Sequence, residues 1–202
     1  MTFSPYCVII HTNVYVITVK VIDAMNEIIS MFDDLDEYDA GTRSRSCFFT
    51  GHRDFTGNKD SLFAELKKNI SYLYSIGVKD FHAGGALGFD TLAATTVVDL
   101  KRFHEDMRLI LNLPYRNQTD KWNSINKERY EYILKNADEV TYSFDGDVTD
   151  AQMARKYLLK RNREMVDCSQ YGIVYFSGEL KSGTGYTVRY ANEKNCEIVN
   201  LY

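Results

Sequence analysis

The 202-residue sequence predicts an α/β fold, a Rossmann-like three-layer sandwich with a mostly parallel sheet. From Cys47 onward, short apolar runs recur about 30 residues apart, and the stretches between them carry apolar residues at helical spacing. Apolar residues make up 45% of the chain and charged residues 26%, which excludes a disordered, collagen-like or coiled-coil protein. Strands alternating with helices at this spacing form βα units, whose parallel sheet is covered on both faces.

Each element follows from a local pattern. The predicted strands lie near residues 47–50, 78–82, 108–113, 139–142, 172–176 and 197–201. The predicted helices are marked by Leu62, Leu66, Ile70 and Leu73, by Leu92, Val97 and Leu100, by Trp122, Ile125, Tyr130 and Ile133, by Met153, Tyr157 and Leu158, and by Val188 and Ala191. Apolar residues three and four positions apart lie on one helix face, which a sheet can cover. We expect the last helix to span 186–194.

The first 46 residues differ from the rest and predict a separate extension. Residues 6–10 and 14–22 are β-rich and suggest a hairpin, 23–32 has helical spacing, and 33–37 is an acidic run leading into a polar linker. We therefore divide the chain into an N-terminal extension with an acidic linker, 1–46, and a Rossmann-like domain, 47–202.

Charge separates the same two regions. The net charge is −4; residues 1–46 hold seven acidic and three basic residues, and the remainder holds 21 of each. Because phosphate-driven binding of nucleic acid needs clustered lysines and arginines, a neutral body predicts no bulk nucleic-acid binding. Any nucleotide would then be a small ligand.

Several other classes are excluded by missing patterns. The cysteines Cys7, Cys47, Cys168 and Cys196 form no CxxC pair, so we predict neither a metal site nor a disulfide framework, and a reducing cytoplasm fits best. Polar residues interrupt the most apolar stretch, 6–22, which predicts no export signal and no membrane span. No GxSxG, HExxH, P-loop or GxGxxG motif occurs, which disfavours serine hydrolases, zinc proteases, ATPases and NAD-dependent hydride transfer, and no cofactor is predicted.

Ligands of such folds bind beyond the carboxyl ends of the strands, so the residues that follow each strand are the candidate binding residues. They are Thr50, Gly51, His52 and Arg53; Gly84, Gly85, Ala86, Gly88 and Asp90; Pro114, Tyr115 and Arg116; and Ser182, Gly183 and Thr184. The glycine loop suits either a phosphate bound by backbone N–H groups or a tight turn, and Ser182 to Thr184 suits a second anion contact.

Individual side chains in these segments each have two interpretations. His52 is an acid–base candidate and Arg53 a phosphate contact, or both are solvated turn residues. Asp90 binds a ribose or caps its helix. Tyr115, Arg116 and Trp122 stack on a base or hold its phosphate, although a lone aromatic on a helix is more often part of the core.

Four motifs in order give the chain a family resemblance: 47–53, 84–94, a 157–167 segment that contains Arg161 and Asn162, and 183–188. Together they resemble the YpsA-like group of the SLOG superfamily, Rossmann-like proteins related to the LOG enzymes and to the nucleotide-fold domain of DprA. The resemblance implies a nucleotide pocket that includes 50–53, Arg161 and Asn162. It also implies a bacterial or phage setting, and self-association is plausible by analogy with related folds.

The resemblance bears on catalysis through two positions. Arg161, four residues before Met165, matches the catalytic arginine of LOG enzymes, whereas their catalytic glutamate position is occupied by Thr187. The candidate catalytic residues are therefore Arg161, with Asp90, Asp167 or His52 replacing the glutamate. We expect a ligand sensor for a nucleotide or an ADP-ribose-like molecule; the alternatives are a hydrolase that cleaves an N-glycosidic bond and an interaction protein that uses its extension.

Overall fold

The computed structural model describes residues 41–55 and 58–202, and the elements predicted for 1–40 lie outside these ranges. The strands are β1 (Ser46–Gly51), β2 (Asp80–Ala83), β3 (Arg108–Leu113), β4 (Glu139–Tyr142), β5 (Tyr171–Tyr175) and β6 (Glu197–Asn200). The helices are α1 (Lys59–Ser75), α2 (Phe89–Lys101), α3 (Ser124–Asn136), α4 (Ala151–Asp167) and α5 (Gly183–Glu193). The α/β prediction is confirmed, and each of the six predicted strands is present.

The six strands form one sheet in the order β4-β3-β2-β1-β5-β6, and every pairing is parallel. Along the described chain, the sheet is built from β1 outward through β2 and β3 to β4, and β5 then lies on the other side of β1. The strand order therefore reverses between β1 and β5. In open α/β sheets the crevice outside such a reversal is the usual ligand site.

Alternate residues of β1 face two separate cores. Cys47 and Phe49 pack with the apolar faces of α1, α2 and α3, while Phe48 packs on the opposite side with Met165 of α4 and Ala191 of α5. Side chains of a strand alternate between the two faces of a sheet, so an uninterrupted apolar strand needs helices on both. This packing fixes the ends of β1 and β5 between the two helical layers.

Side-chain caps set where most helices begin. Asn58, Asn123, Asp150 and Ser182 each accept a hydrogen bond from a backbone N–H in the first turn that follows. The Ser182 cap starts α5 at Gly183, three residues before the predicted start. The prediction was late because Gly183 and Gly185 look like loop residues in the sequence, whereas the cap draws them into the helix.

The compact unit that contains the sheet extends from Thr42 to Tyr202, so it begins before the predicted boundary at 47. Arg43 accounts for part of this difference, because its guanidinium donates to the carbonyl oxygens of Ser169 at 3.1 Å and Lys194 at 2.6 Å. No helix within 41–55 and 58–202 is both long and apolar enough to cross a membrane.

Candidate functional site

A cleft of about 940 Å³ lies at the carboxyl ends of β1 and β5, where the strand order reverses. We call it the cationic cleft. It brings together Thr50, Gly51, His52, Arg53, Ala86, Asp90, Arg161, Asn162, Ser182, Gly183 and Thr184 from the residues predicted by sequence. These residues lie at the end of β1, follow β1, β2 or β5, or belong to α4. They are far apart in the sequence, and only the fold brings them together.

His52 connects the two strands that flank the reversal. Its Nε2 accepts a hydrogen bond from the backbone N–H of Ser177 at 3.0 Å and lies 2.9 Å from the Ser177 hydroxyl. A nitrogen that accepts from a backbone N–H carries no proton, so the neutral ring is protonated on Nδ1. Because Nε2 is engaged in this way, His52 holds the β1 and β5 ends together.

The glycine loop after β2 binds a carboxylate of the protein itself. The backbone N–H groups of Gly84 and Ala86 donate to Asp90 Oδ2 at 3.0 and 3.4 Å. Sequence analysis left open whether this loop binds an anion or forms only a tight turn. The structure shows these two donors used internally, so an incoming phosphate does not find them free.

Arg161 completes this arrangement from the other side. Its Nη1 lies 3.3 Å from Asp90 Oδ2, and the two side chains are only 5% and 7% exposed. The guanidinium passes so close to Gly84 that a β-carbon there would lie 0.8 Å from Nη1. Only glycine leaves room for this contact.

The buried pair also shifts both ionisations. Burial raises the pKa of the Asp90 carboxyl, and the positive charge of Arg161 together with the two backbone donors opposes that rise. Burial lowers the pKa of the Arg161 guanidinium, and the negative charge of Asp90 opposes that decrease. Arginine nevertheless stays protonated in proteins, and its Nε, buried without a hydrogen-bond partner among the described residues, leaves it short of acceptors.

The N-terminus of α5 forms another wall of the cleft. Ser182 Oγ accepts from the Gly185 N–H at 3.0 Å, and the Ser182 carbonyl accepts from Tyr186. The N–H groups of Gly183 and Thr184 precede the first intrahelical donors, and both residues line the cleft. A helix N-terminus with unused donors favours a negatively charged group.

Thr187 occupies the position where LOG enzymes carry glutamate. Its side chain is fully buried, its hydroxyl donates to the Gly183 carbonyl at 2.9 Å, and it accepts from Asn162 Nδ2 at 2.8 Å. The hydroxyl therefore joins α4 to α5 and does not line the cleft. Asn162 itself lines the cleft.

The cleft is strongly basic although the protein is not. Arg53, Arg155, Lys181 and Arg189 are exposed, and none forms an ion pair with the part of the chain that the structure describes. Arg161 adds a fifth positive charge, against one carboxylate, Asp90, on the described walls. Unpaired cations in a concave site favour an anionic ligand.

Sequence reasoning missed several lining residues: Leu87, Arg155, Leu158, Leu159, Leu180, Lys181, Tyr186 and Arg189. A signal for some of them was present. Arg155, Leu158, Leu159 and Asn162 recur at helical spacing, so once Asn162 is assigned to the site, the same face of α4 supplies the other three. Lys181 and Arg189 flank the predicted Ser182 to Thr184 contact.

Other predicted residues lie outside the cationic cleft: Gly84, Gly85, Gly88, Pro114, Tyr115, Arg116 and Asp167. Arg116 pairs with Asp145 at 2.6 Å and covers the Tyr142 ring. Asp167, at the far end of α4, accepts from the Tyr190 hydroxyl at 2.8 Å and pairs with Lys194 at 3.3 Å. Tyr115 and Trp122 line a neighbouring cleft.

Comparison with known proteins identifies the family. The YpsA family model, described as the YspA SLOG family, matches residues 49–200. This chain belongs to the YspA SLOG family. A prophage-derived relative, YoqJ of Bacillus subtilis strain 168, is 31% identical over 142 residues, which cover 67% of this chain and 80% of YoqJ. UPF0398 proteins of Staphylococcus aureus, including that of strain JH9, are 28% identical over 108 residues, half of this chain and 58% of theirs.

Two solved structures share the fold of this SLOG protein. They are DNA processing protein A from Helicobacter pylori, a protein with a single-stranded DNA binding mode, and DprA from Streptococcus pneumoniae. Both have a TM-score of 0.56, with 19% and 18% identity. They cover 78% and 77% of this chain, which spans 65% and 49% of theirs.

The H. pylori structure corrects one sequence prediction. We excluded nucleic acid as a bulk partner because the acidic and basic residues of the main body are equal in number. A protein of this fold binds single-stranded DNA, so that exclusion is wrong. The physical reason is that a whole-domain charge total averages over the surface, whereas one cleft here is lined by Arg53, Arg155, Arg161, Lys181 and Arg189 against a single carboxylate among the described residues.

Proposed function

We propose that this protein binds a nucleotide or a nucleotide-derived ligand, such as an ADP-ribose-like molecule, in the cationic cleft and acts as a sensor or regulatory module. Membership of the SLOG family and the fold shared with DprA favour nucleotide- or DNA-related binding. The observation that carries the proposal is the concentration of unpaired cations in a cleft at the reversal of strand order.

The walls of the cleft carry groups that could contact the phosphates, the sugar and the base of a nucleotide. Phosphates would lie against Arg155, Lys181 and Arg189 and would accept from the N–H groups of Gly183 and Thr184. Leu158 and Leu159 give an apolar surface, and the half-buried Tyr186 ring gives a face for a sugar or base. A volume of about 940 Å³ is within the range of small-molecule sites.

Hydrolysis receives less support from the same geometry. Among the described residues that line the cleft, the acid–base candidates are His52 and Asp90. His52 Nε2 accepts from Ser177, and Asp90 Oδ2 accepts from two backbone groups and Arg161. Asp167 lies elsewhere, and Thr187 supplies no carboxylate. A general base needs a free lone pair within reach of its proton.

Binding of ADP-ribose, AMP and NAD by isothermal titration calorimetry, followed by mass spectrometry of the retained and released species, tests the proposal. We expect an intact ligand to be retained and Arg155→Ala or Arg189→Ala to weaken binding about tenfold or more, because each removes a charge-assisted hydrogen bond to a phosphate. Lys135→Ala, an exposed cation on α3 outside the cleft, is the matched control.

Equal affinity in the cleft variants and in the control would contradict the proposed site. Release of free base or ribose phosphate would instead show an enzyme, and variants of Asp90 and His52 would then identify the acid or base.

Single-stranded DNA is the second candidate, favoured by the fold shared with the H. pylori protein and by the basic cleft. It predicts that affinity for oligothymidylate rises with length well beyond the size of the cleft and falls steeply with salt. A small-molecule site predicts no gain once the oligonucleotide exceeds two nucleotides. Fluorescence anisotropy over a length series separates the two.

A further inference from the structure

A second cleft of about 930 Å³ adjoins the cationic cleft, and the proposed function does not account for it. We call it the amide cleft, because Asn117, Gln118, Asn123 and Asn126 are on its walls with Trp122. It lies between the start of α3, the start of α4 and the segment after β3. No residue of α5 lines this cleft, whereas α5 forms one wall of the cationic cleft.

Several polar groups of the amide cleft are already engaged in holding its walls. Asn117 Oδ1 accepts from the Val148 N–H at 2.8 Å, and its Nδ2 donates to Asp120 at 3.2 Å. Asn123 and Asp150 cap α3 and α4. The cleft's two carboxylates, Asp120 and Asp150, each accept one hydrogen bond in these contacts. They fix the shape of the cleft before any ligand arrives.

Trp122 and Asn126 remain available on this preformed surface. The half-buried Trp122 ring is held edge-on against Tyr130, with ring centroids 5.6 Å apart and planes at 85°. The Asn126 side-chain amide makes no hydrogen bond to any described residue, and only its backbone N–H is used by Asn123. A fixed indole beside an open carboxamide can stack on and hydrogen-bond a flat heterocycle.

The two clefts share a wall. Arg53, Leu87, Arg155 and Leu158 line both, so the two unpaired arginines stand where the clefts meet. A ligand that extends from one cleft to the other would therefore have negative charge at its middle and a ring at each end. The volume of each cleft is enough for one nucleoside with its phosphate.

We propose that the amide cleft is the subsite for a second nucleoside, so that the protein selects ligands with two nucleosides joined by phosphates over mononucleotides. This inference rests on the proposed function of the cationic cleft. Arg53 and Arg155 contact the bridging phosphates, Trp122 stacks on the second base, and Asn126 hydrogen-bonds to its edge.

ADP and diadenosine diphosphate are suitable probes, because each carries two phosphates and only the second has another nucleoside. The extra adenosine also removes one negative charge from the terminal phosphate, so charge alone would favour ADP in the cationic cleft. Trp122 is the only tryptophan of the chain, so its fluorescence reports on the amide cleft alone. We expect calorimetry to detect both ligands, with diadenosine diphosphate bound about tenfold or more tightly. Only the dinucleotide should quench Trp122.

Variants separate recognition from folding. We expect Trp122→Phe and Asn126→Ala to weaken binding of diadenosine diphosphate while leaving the ADP affinity unchanged. Ile125→Ala, an exposed neighbour on α3 outside the amide cleft, is the control and should alter neither. A variant that also loses ADP binding is treated as misfolded and is left out. The remaining variant then decides the test.

The outcomes distinguish the two proposals. Binding of ADP and diadenosine diphosphate with equal affinity, or dinucleotide binding without quenching, overturns the second subsite and leaves the cationic cleft intact. Absence of binding for both ligands overturns the second subsite, and the proposed function is overturned with it when AMP, ADP-ribose and NAD also fail to bind. A thymidine decanucleotide that binds more tightly than the dinucleotide and quenches Trp122 shows that the amide cleft serves single-stranded DNA, which also overturns this proposal.

Discussion

Asp90 and Arg161 line the cationic cleft, and their ion pair depends on Gly84, which lies next to it outside the cleft. The carboxylate collects three donors, the guanidinium comes from 71 positions further along the chain, and the glycine leaves space for it. A buried ion pair is stable only while its hydrogen bonds are kept, because an isolated charge in the interior is costly.

Gly84→Ala should therefore destabilise the protein. The new methyl group would displace the Arg161 guanidinium and leave Asp90 with less compensation, so we expect a loss of about 3 kcal/mol or more in the free energy of unfolding. Gly183→Ala is the control, because its β-carbon meets open space, and it should change stability by less than about 1 kcal/mol. Urea unfolding measures the stability of both variants. Similar losses in the two would show that the space at Gly84 is not needed for the ion pair.

His82 predicts a stability change with pH. Its ring is buried on β2 and hydrogen-bonds with Asn112 at 2.9 Å, and burial lowers its pKa below the ordinary value of 6.5. The unfolded chain therefore takes up a proton at a pH where the folded protein does not. Stability from this group is complete above about pH 6.5 and falls as the pH drops below it, by at most about 1.4 kcal/mol per pH unit.

His82→Gln removes the titration and keeps an amide beside Asn112. In this variant we expect a flatter dependence of the unfolding free energy between pH 6.5 and 5 than in the wild type. Denaturant unfolding across that range measures it, and the same slope in both proteins would show that other groups govern the acid response.

The glycine loop shows which contacts of single residues cannot be predicted from the sequence. Its composition predicts a backbone that can turn N–H groups inward, and the structure has such groups. Which anion they bind depends on the contact of Asp90 with Arg161, between residues far apart in sequence. Local pattern holds no information on such a contact, so both interpretations of the loop had to stay open.

Among elements, α4 and α5 are tied together by a hydroxyl and a carboxamide. Asn162 on α4 donates to Thr187 on α5, and Thr187 donates to the Gly183 carbonyl at the start of α5. The contact positions the N-terminus of α5, with its unused N–H groups, against the basic face of α4. Both walls of the cationic cleft thus have a fixed separation.

A double-mutant cycle with Asn162→Ala and Thr187→Val should measure this coupling. We expect an interaction free energy of about 1 kcal/mol between the two positions, because each single change already removes the hydrogen bond. Asn69→Ala on α1, combined with Thr187→Val, is the control and should be additive. Additive effects in the first cycle would mean that the hydroxyl does not join the helices.

The positions of the helices and strands were the part of the structure that the sequence predicted best. Apolar runs located all six strands, and helical spacing located the helices that the structure describes, because burial against the sheet imposes both periods. The start of α5 was placed late, since two glycines resemble a loop when the Ser182 cap is not considered. Site residues on helix faces, such as Arg155 and Arg189, were missed because the search followed the strand ends.

For the whole molecule, the distribution of charge matters more than its sum. The chain has a net charge of −4, yet the described walls of the cationic cleft carry four arginines and one lysine against one carboxylate, Asp90. An anion would therefore be steered toward one end of the sheet despite the overall negative charge.

Binding of an anionic ligand should weaken with salt. The Debye length falls from about 10 Å at 0.1 M to about 3 Å at 1 M ionic strength, so exposed cleft cations are screened, and we expect ADP affinity to fall about tenfold or more. The salt slope should be smaller in Arg155→Ala than in Lys135→Ala. Calorimetry at several salt concentrations measures the slope, and a salt-independent affinity would contradict an electrostatic site.

The occupation of the glycine loop by Asp90 has a consequence for how such proteins can diverge. A tethered carboxylate competes at a high effective concentration, so free anions in solvent are kept out of this position. Loss of that one side chain would expose two backbone donors and a buried arginine, which together make an anion receptor. A single substitution could thus give the scaffold a new phosphate position, at the expense of the ion pair that now stabilises it.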